Sequence, residues 1–228
     1  MAATTNDPLA ALATHALDFV KDGDVVGLGS GRAATAFVHA LATRVRSGLK
    51  VRGVPTSEET ARLARELGID LVGLEAEIAL TVDGADEVDG KLNLIKGHGG
   101  ALVRERIVAA ASQRQVILIT SDKLVEVLGS RGPLPVEVMP FAVPLCRRRL
   151  EDLELKPTLR MQDDRPFVTD NFNVIFDCAL GPIGDPERLD RAIRAIPGVI
   201  DTGLFLGTAE RVVVADGETI RELVRGSR

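Results

Sequence analysis

The sequence predicts an α/β fold: a mostly parallel sheet covered by helices on both faces, with a small α+β lobe inserted near the C-terminus. Short apolar segments alternate with amphipathic helical segments over the first 131 residues, which is the pattern of βαβ units. Four prolines then fall between positions 133 and 144, and the alternation breaks down. It resumes shortly after residue 208, so the lobe interrupts the main domain rather than following it.

Each element of the main domain has a local signal. A cap residue followed by proline, at Asn6-Asp7-Pro8, starts a helix that ends near Gly23. Ser57 is expected to cap the third helix, because Glu58 and Glu59 follow it in the first turn. The other predicted elements are strands at 24–28, 50–54, 78–82 and 115–120, and helices at 32–46 and 101–111.

The small lobe is expected at 132–208. Its predicted elements are a helix at 145–152, strands near 157–160 and 173–177, a helix at 186–196 and a strand near 199–205. A strand at 211–215 and a last helix starting at Glu218 are expected to return to the main domain, which therefore comprises 1–131 and 209–228.

Composition excludes several classes of protein. The chain has 28 basic and 33 acidic residues, a net charge of −5, whereas a nucleic-acid binder shows a basic excess. No apolar run approaches the roughly 20 residues of a membrane span, and residues 1–7 lack the basic and apolar regions of a signal peptide. The only cysteines, Cys146 and Cys178, form no CxxC pair, which predicts a reducing, cytoplasmic location.

A glycine-rich turn, Gly27-Leu28-Gly29-Ser30-Gly31, lies between the first predicted strand and a helix. Such a turn at a helix N-terminus suits a phosphate, although a tight turn that needs glycine would look the same. Ala34 at the last glycine position departs from the dinucleotide-binding GxGxxG pattern. Thr56 and Ser57 could offer hydroxyl groups at the same sheet edge.

Four carboxylates follow the strand that ends at Val82: Asp83, Asp86, Glu87 and Asp89. They could form a solvated acidic turn, a metal site or a set of acceptors for sugar hydroxyls. The nearby Lys96 competes with a metal ion. We therefore favour directional hydrogen bonds from the hydroxyls of a polyol to these carboxylates.

A second glycine-rich segment, Lys96-Gly97-His98-Gly99-Gly100, leads into a helix with Glu105 in its first turn. Lys123 follows another strand and adds a positive charge to the same edge. Acidic residues are common near helix starts, and a histidine between glycines is more often an exposed loop residue. Together these groups describe a pocket for a small phosphorylated polyol, with no metal, nucleotide or flavin motif.

These segments resemble the ribose-5-phosphate isomerase A family. The matching segments are GLGSG, VPTSEET, TVDGADEVD, LIKGHGGALVRERIVA, SDKLV, LPVEV, TDNFN and GVIDTGLF, in the family's order. The resemblance implies interconversion of D-ribose 5-phosphate and D-ribulose 5-phosphate without a metal or cofactor. It also implies a Rossmann-like domain with a ferredoxin-like lobe, and a homo-oligomer, either dimer or tetramer.

Residue by residue, the resemblance makes Glu105 the general base and assigns Asp83, Asp86 and Lys96 to the catalytic machinery. The substrate-binding positions it implies are Ser30, Gly31, Arg32, Ala33, Asp83, Gly84, Ala85, Asp86, Lys96, Gly97, His98, Gly99 and Lys123. Asp83 or Asp86 would also assist opening of the furanose ring.

Three positions depart from the family pattern. Arg32 and Ala33 replace two hydroxyl residues of the phosphate loop, and we expect Arg32 to bind the phosphate in their place. Phe172 replaces a glycine of the TDNGN segment, from which we expect altered packing or subunit contacts. Arg106 replaces a lysine, a change expected to matter little.

Other classes of protein remain open on the same fold. A non-catalytic sugar-phosphate sensor would usually lack the base, whereas Glu105 is present. An isomerase or deaminase acting on a different sugar phosphate, or a coenzyme A transferase, is also possible. The deaminase expects an Asp/His arrangement that His15, His39 and His98 do not suggest, and the transferase is normally larger.

Overall fold

The structure, a computed structural model, describes residues 7–226. Asn6 and the five residues before it lie outside the described residues, and the predicted cap of the first helix is Asp7, whose side chain accepts the Leu9 N–H. The helices are α1 (Pro8–Ala16), α2 (Arg32–Arg46), α3 (Glu58–Glu66), α4 (Leu102–Ala111), α5 (Val143–Asp152) and α6 (Pro186–Arg194), with short 3-10 helices at Leu17–Phe19, Ser121–Lys123 and Pro140–Ala142.

The strands of the described part of the chain are β1 (Val25–Leu28), β2 (Arg52–Pro55), β3 (Asp70–Leu71), β4 (Leu80–Gly84), β5 (Glu87–Val88), β6 (Leu94–Ile95), β7 (Gln115–Thr120), β8 (Leu134–Val138), β9 (Lys156–Leu159), β10 (Met161–Gln162), β11 (Arg165–Pro166), β12 (Val174–Ala179), β13 (Val199–Thr202), β14 (Leu204–Phe205), β15 (Arg211–Asp216) and β16 (Thr219–Val224).

The first of two compact units contains the described residues up to Ala85, Arg104–Lys123, and the described residues from Thr208 onward. Its sheet has the order β3-β2-β1-β4-β7-β15-β16, in which only β16 is antiparallel to its neighbour. The six parallel strands follow the 3-2-1-4-5-6 order of the Rossmann fold. The predicted Rossmann-like parallel sheet is therefore confirmed.

Helices cover both faces of this sheet. Phe37 and Leu41 of α2 are fully buried in a core shared with α1, α3 and the central strands. On the other face, Val108 of α4 packs with Val25 and Val54. Complete burial of an apolar side chain of this size contributes about 1.5–3 kcal/mol, so both helical layers stabilise the sheet substantially.

The second unit contains Asp86–Val103 and Leu124–Gly207. Its main sheet is antiparallel, in the order β13-β8-β12-β9, and α5 and α6 occupy the two crossover positions of a βαββαβ sequence. This is the arrangement of a ferredoxin-like fold, as expected. A three-stranded sheet, β14-β6-β5, belongs to the same unit. The unit thus includes residues 86–103 and 124–131, which the predicted domain boundaries had assigned to the main domain.

The last predicted helix is wrong, because residues after Glu218 form the edge strand β16. Asp216 and Thr219 close a two-residue turn in which Gly217 has a φ of +58°. Glycine is favoured at the first central position of a two-residue hairpin turn, where φ is positive. Ile220 and Leu223 are half-buried at a spacing of three, which imitates one face of a helix.

The strand predicted near 199–205 is two strands in different sheets. Gly203 separates them, donating its N–H to the Pro135 carbonyl at 2.7 Å and accepting the Lys96 N–H at 2.9 Å. A Cβ atom at Gly203 would lie 2.4 Å from the Lys96 carbonyl oxygen. The glycine is therefore required by close backbone approach, and the change of sheet occurs there.

Candidate active site

The turn after β1 and the end of β4 meet where the strand order of the first unit reverses, since β1 lies between β2 and β4. Asp83 is fully buried, and its Oδ1 accepts the N–H groups of Ser30 at 3.1 Å and Gly84 at 2.7 Å. A Cβ atom at Gly29 would lie 2.3 Å from this oxygen. Ligands of open α/β sheets bind at such reversals. The glycine-rich turn and Asp83 therefore lie at the edge of the sheet where the sequence predicted them.

Hydroxyl groups join the turn to the end of β2. The Ser30 and Thr56 hydroxyl oxygens are 2.7 Å apart, and the Thr60 hydroxyl donates to the Gly29 carbonyl at 3.0 Å. Ser57 caps α3 by accepting the Thr60 N–H at 3.0 Å, as predicted. The polar groups at the ends of β1, β2 and β4 are thus one connected network within the first unit.

Helix α2 begins directly after the glycine-rich turn. Gly31 has a φ of +82° and provides no side-chain cap, and the Thr35 N–H makes the first helical hydrogen bond, to the Gly31 carbonyl at 2.8 Å. The amides of the first turn therefore point out of the helix end, where an anion would be favoured. Arg32 is exposed at the first helical position, and Ala33, which follows it, is half-buried. Gly31 and Arg32 line a cavity of about 530 Å³.

Glu105 lies in the first turn of α4 and is only 5% exposed. One turn later, Val108 occupies the space left by Gly27, at which a Cβ atom would lie 2.8 Å from the valine. On the outer side, Arg104 forms a 2.8 Å ion pair with Glu58, and this hydrogen bond lowers the pKa of the Glu58 carboxyl group below its ordinary value. The helix that carries the predicted base is therefore held on two sides.

Lys123 is half-buried in the 3-10 helix that follows β7. The same short helix is tied to the end of β15 because the Ser121 hydroxyl donates to Asp216 at 2.9 Å, and the Thr120 hydroxyl donates to Asp122. The structure thus places Lys123 after a parallel strand of the first unit, at the carboxyl end that the sequence indicated.

The second unit contains the other predicted cation. Lys96 is 3% exposed, and its ammonium nitrogen lies 5.6 Å from the centre of the buried Phe205 ring. The face of an aromatic ring attracts a cation, so Phe205 helps to hold this lysine. No local pattern indicates this role, apart from the GVIDTGLF segment that ends in Phe205.

The glycine-rich loop after Lys96 is anchored by Arg160. Its Nη1 donates to the carbonyl oxygens of Gly97 at 3.0 Å and His98 at 3.1 Å, while Asp177 binds the other edge of the guanidinium group. Gly97 and Gly100 have φ values of +110° and +86°, which require glycine. Arg160 could not be predicted from the sequence, because no motif marks it and it lies 63 residues from Gly97.

Only part of the acidic cluster can serve a ligand. Both oxygens of the buried Glu87 accept backbone N–H groups, from Gly129 at 2.7 Å and from Arg131 at 2.8 Å. Asp89 accepts the N–H groups of Lys91 and Asn93, each at 2.8 Å. The interpretation of all four carboxylates as hydroxyl acceptors is therefore wrong for Glu87, which holds a distant loop, and for Asp89, which holds its own turn.

The predicted site residues divide between the two units. Those in the first unit are Ser30, Gly31, Arg32, Ala33, Asp83, Gly84, Ala85, Glu105 and Lys123; those in the second are Asp86, Lys96, Gly97, His98 and Gly99. Among residues 7–226, no three His, Cys, Asp or Glu side chains are grouped so as to hold a metal ion. Within the same range, no helix has the length and apolar character needed to cross a membrane.

The sheet order defines an α/β protein of the Rossmann-like class, with polar groups at the strand ends where its order reverses. The family model of ribose 5-phosphate isomerase A (phosphoriboisomerase A) matches residues 52–219. The chain belongs to the ribose 5-phosphate isomerase A family, a family of isomerases.

Relatives agree over nearly the whole chain. The ribose-5-phosphate isomerase A of Gloeobacter violaceus is 54% identical over 207 residues, covering 90% of each chain. That of Roseiflexus sp. is 52% identical, covering 92% of this chain and 93% of its own. The solved structure of ribose 5-phosphate isomerase A from Methanocaldococcus jannaschii has a TM-score of 0.92 at 37% identity, covering 97% and 100%. A solved D-ribose-5-phosphate isomerase in complex with phospho-erythronic acid also has a TM-score of 0.92, at 37% identity, covering 96% and 98%.

Proposed function

We propose that this chain interconverts D-ribose 5-phosphate and D-ribulose 5-phosphate, with Glu105 as the base. The observation that carries the assignment of the base is the burial of the Glu105 carboxyl group in the first turn of α4. A buried carboxylate on a rigid helix is suited to proton transfer at a fixed carbon, since its orientation does not have to be established at each turnover.

The reaction would proceed through an enediolate. Glu105 removes the proton from C2 of the open-chain aldose, and the C–H electron pair forms a C1–C2 double bond while the C1 carbonyl pair moves to O1. The protonated Glu105 then returns the proton to C1, O1 takes up a proton, and the O2 hydroxyl group loses its proton to form the C2 carbonyl. We assign stabilisation of the developing charge to Lys96, because a preorganised cation lowers the energy of an oxyanion.

Binding would be shared among the other groups of the site. The start of α2, with Ser30, Gly31, Arg32 and Ala33, is the proposed phosphate site, because helix amides and an arginine both favour an anion. Asp83 and Asp86, with the adjacent Gly84 and Ala85, would face the sugar hydroxyls. Phosphate binding remote from the reacting carbons can orient them. We propose the loop from Gly97 to Gly99 and Lys123 as further substrate contacts.

The test measures formation of ribulose 5-phosphate from ribose 5-phosphate, in EDTA, by wild type, Glu105→Gln and the exposed control Glu66→Gln. Loss of the base should lower kcat by about 10²–10⁴-fold, and the control should match wild type. A Glu105→Gln variant with wild-type kcat would exclude Glu105 as the base. Binding of the sugar phosphate without turnover by wild type would indicate a sensor, and turnover of glucosamine 6-phosphate instead would indicate a deaminase.

We further propose that the chain works as a homo-oligomer, either dimer or tetramer, in the cytoplasm. Phe141 and Phe172 are 94% and 83% exposed. Phe141 follows β8 and Phe172 precedes β12, at the end of the four-stranded sheet where Val138 pairs with Val174 and Val199. Large apolar groups in water favour burial against a second copy. Light scattering tests this: a monomeric wild type would contradict it, and serine at both positions should shift an oligomer toward smaller species.

The proposed cytoplasmic location fits the free cysteines, which are expected in a reducing compartment. Cell fractionation would test it.

A further inference from the structure

The imidazole ring of His98 lies between two oxygen atoms of its own unit. Its Nδ1 is 3.4 Å from Oδ1 of Asp86, and its Nε2 is 3.1 Å from the Pro133 carbonyl oxygen. The backbone N–H of His98 donates to the other oxygen of Asp86 at 3.0 Å. His98 is an exposed turn residue, as expected, but it also contacts both oxygens of the Asp86 carboxylate.

The surroundings of the ring are built to hold it in this position. A Cβ atom at Gly132 would lie 2.9 Å from Cε1 of His98, so the missing side chain makes room for the ring. The Gly132 N–H donates to the buried Glu87, which also holds the Arg131 N–H. Arg160 also donates to the carbonyl oxygens of Gly97 and His98. The backbone of His98 and the loop that contacts its ring are therefore both held by hydrogen bonds.

The contacts determine where protons lie on the pair. A carbonyl oxygen only accepts hydrogen bonds, so the Nε2 that faces Pro133 carries a proton. If Nδ1 were unprotonated, its lone pair would face the Asp86 carboxylate, and two acceptors would repel. The arrangement is favourable when one further proton lies between Nδ1 and Oδ1, on either the imidazole or the carboxyl group. A proton held between Nδ1 and Oδ1 would therefore stabilise the pair in this geometry.

We propose that His98 is a positioning residue for Asp86, and that it keeps a proton on this pair for opening the ring of the aldose. This inference rests on the proposed isomerase function. Ring opening needs a proton at the ring oxygen. The C1–O4 bond breaks, its two electrons go to O4, and O4 takes the proton held by His98 and Asp86. The two electrons of the O1–H bond form the C1 carbonyl bond, and the proton released from O1 replaces the one that His98 and Asp86 supplied.

The chemistry of the two substrates separates ring opening from the step at Glu105. Ribose 5-phosphate is a cyclic hemiacetal through O4. Ribulose 5-phosphate cannot close a five-membered ring through O5, because O5 carries the phosphate, so it is open-chain. Exchange of its C1 proton with deuterium from solvent therefore needs the enediolate step alone, whereas conversion of ribose 5-phosphate needs ring opening as well.

The experiment compares wild type, His98→Asn, Gly132→Ala and the control His39→Asn, an exposed histidine of α2. Two rates are measured: kcat for ribose 5-phosphate, and C1 deuterium exchange of ribulose 5-phosphate in D₂O by NMR. Asparagine offers an amide near the Nδ1 position but cannot transfer a proton, and the added methyl group of Gly132→Ala displaces the ring without changing it.

For both His98→Asn and Gly132→Ala we expect kcat for the aldose to fall by about tenfold or more, while deuterium exchange of the ketose stays within about threefold of wild type. His39→Asn should leave both rates unchanged. Equal losses of both rates, or no loss of either, would overturn the proposal. Failure of the proposed function is distinguishable, because wild type would then show neither conversion nor exchange.

Discussion

The Asp83 carboxylate accepts the N–H of Ser30 at 3.1 Å and thereby joins the end of β4 to the turn after β1. The two residues are 53 positions apart in the sequence and belong to neighbouring parallel strands. A buried carboxylate that accepts backbone N–H groups fixes the turn from which α2 starts. The proposed phosphate site and the proposed hydroxyl-binding site are therefore mechanically linked.

Gly29→Ala tests this link. The new Cβ atom would meet Asp83 at 2.3 Å from Oδ1 and 2.6 Å from Cα, so the backbone has to move. We expect the free energy of unfolding to fall by about 1–3 kcal/mol, together with loss of isomerase activity, measured by urea unfolding and turnover. The control Gly90→Ala has open space and should be as stable as wild type or slightly more so. Equal stability of the two variants would contradict the packing argument.

Arg32→Ala tests the departure from the family's phosphate loop. If the guanidinium group binds the phosphate in place of the missing hydroxyls, KM for ribose 5-phosphate should rise by about tenfold or more, with a smaller effect on kcat. Arg46→Ala, at the opposite end of the same helix, removes the same charge and should leave KM unchanged. Steady-state kinetics distinguish the two, and an unchanged KM for Arg32→Ala would remove Arg32 from the phosphate site.

Phe172 tests the cost of a side chain in the left-handed region. Its φ is +61° at a position where the family resemblance implies glycine, and this conformation costs an L-residue about 1–2 kcal/mol. Phe172→Gly should therefore be more stable than Phe172→Ala by about 1 kcal/mol, since both remove the ring but only glycine relieves the backbone. Urea unfolding of the pair measures the difference, and equal midpoints would show that the position is not strained.

The buried thiol of Cys178 predicts a loss of stability at alkaline pH. Burial, with a further contribution from Asp177, raises the pKa of this thiol from its ordinary 9.0 to about 12. Between these values the unfolded chain loses a proton that the folded chain keeps. The free energy of unfolding therefore falls as pH rises, by up to about 1.4 kcal/mol per pH unit from this group.

Urea unfolding of wild type and Cys178→Ala between pH 8 and pH 11, about the window that these pKa values define, checks this effect. The variant will be less stable at pH 8 because of the cavity, but its stability should decline less steeply with pH. Cys146, whose thiol pKa burial also raises, is present in both proteins and cancels. Parallel curves for the two proteins would contradict the predicted linkage.

Most elements of the first unit could be predicted, because their signals are local. Apolar segments of strand length, the Ser57 cap and the glycine turn before Arg32 each act within a few residues. The predicted strand at 115–120 is found at Gln115–Thr120, and α2 is found at Arg32–Arg46. The error at Glu218 arose where the spacing of Ile220 and Leu223 imitated a helix while the Asp216-Gly217 turn directed a hairpin.

The sequence by itself determined the α/β class with its mostly parallel sheet, most of the elements and the set of polar residues at the strand ends, because apolar periodicity and turn chemistry are written into neighbouring residues. Only the tertiary structure decided which of those polar groups remain available. Glu87 and Asp89 hold backbone turns, whereas His98 contacts Asp86 through space that Gly132 leaves open. The turn at Asp89 is local, but Glu87 and the His98 ring contact residues 35 to 45 positions away, which packing brings together and no local pattern encodes.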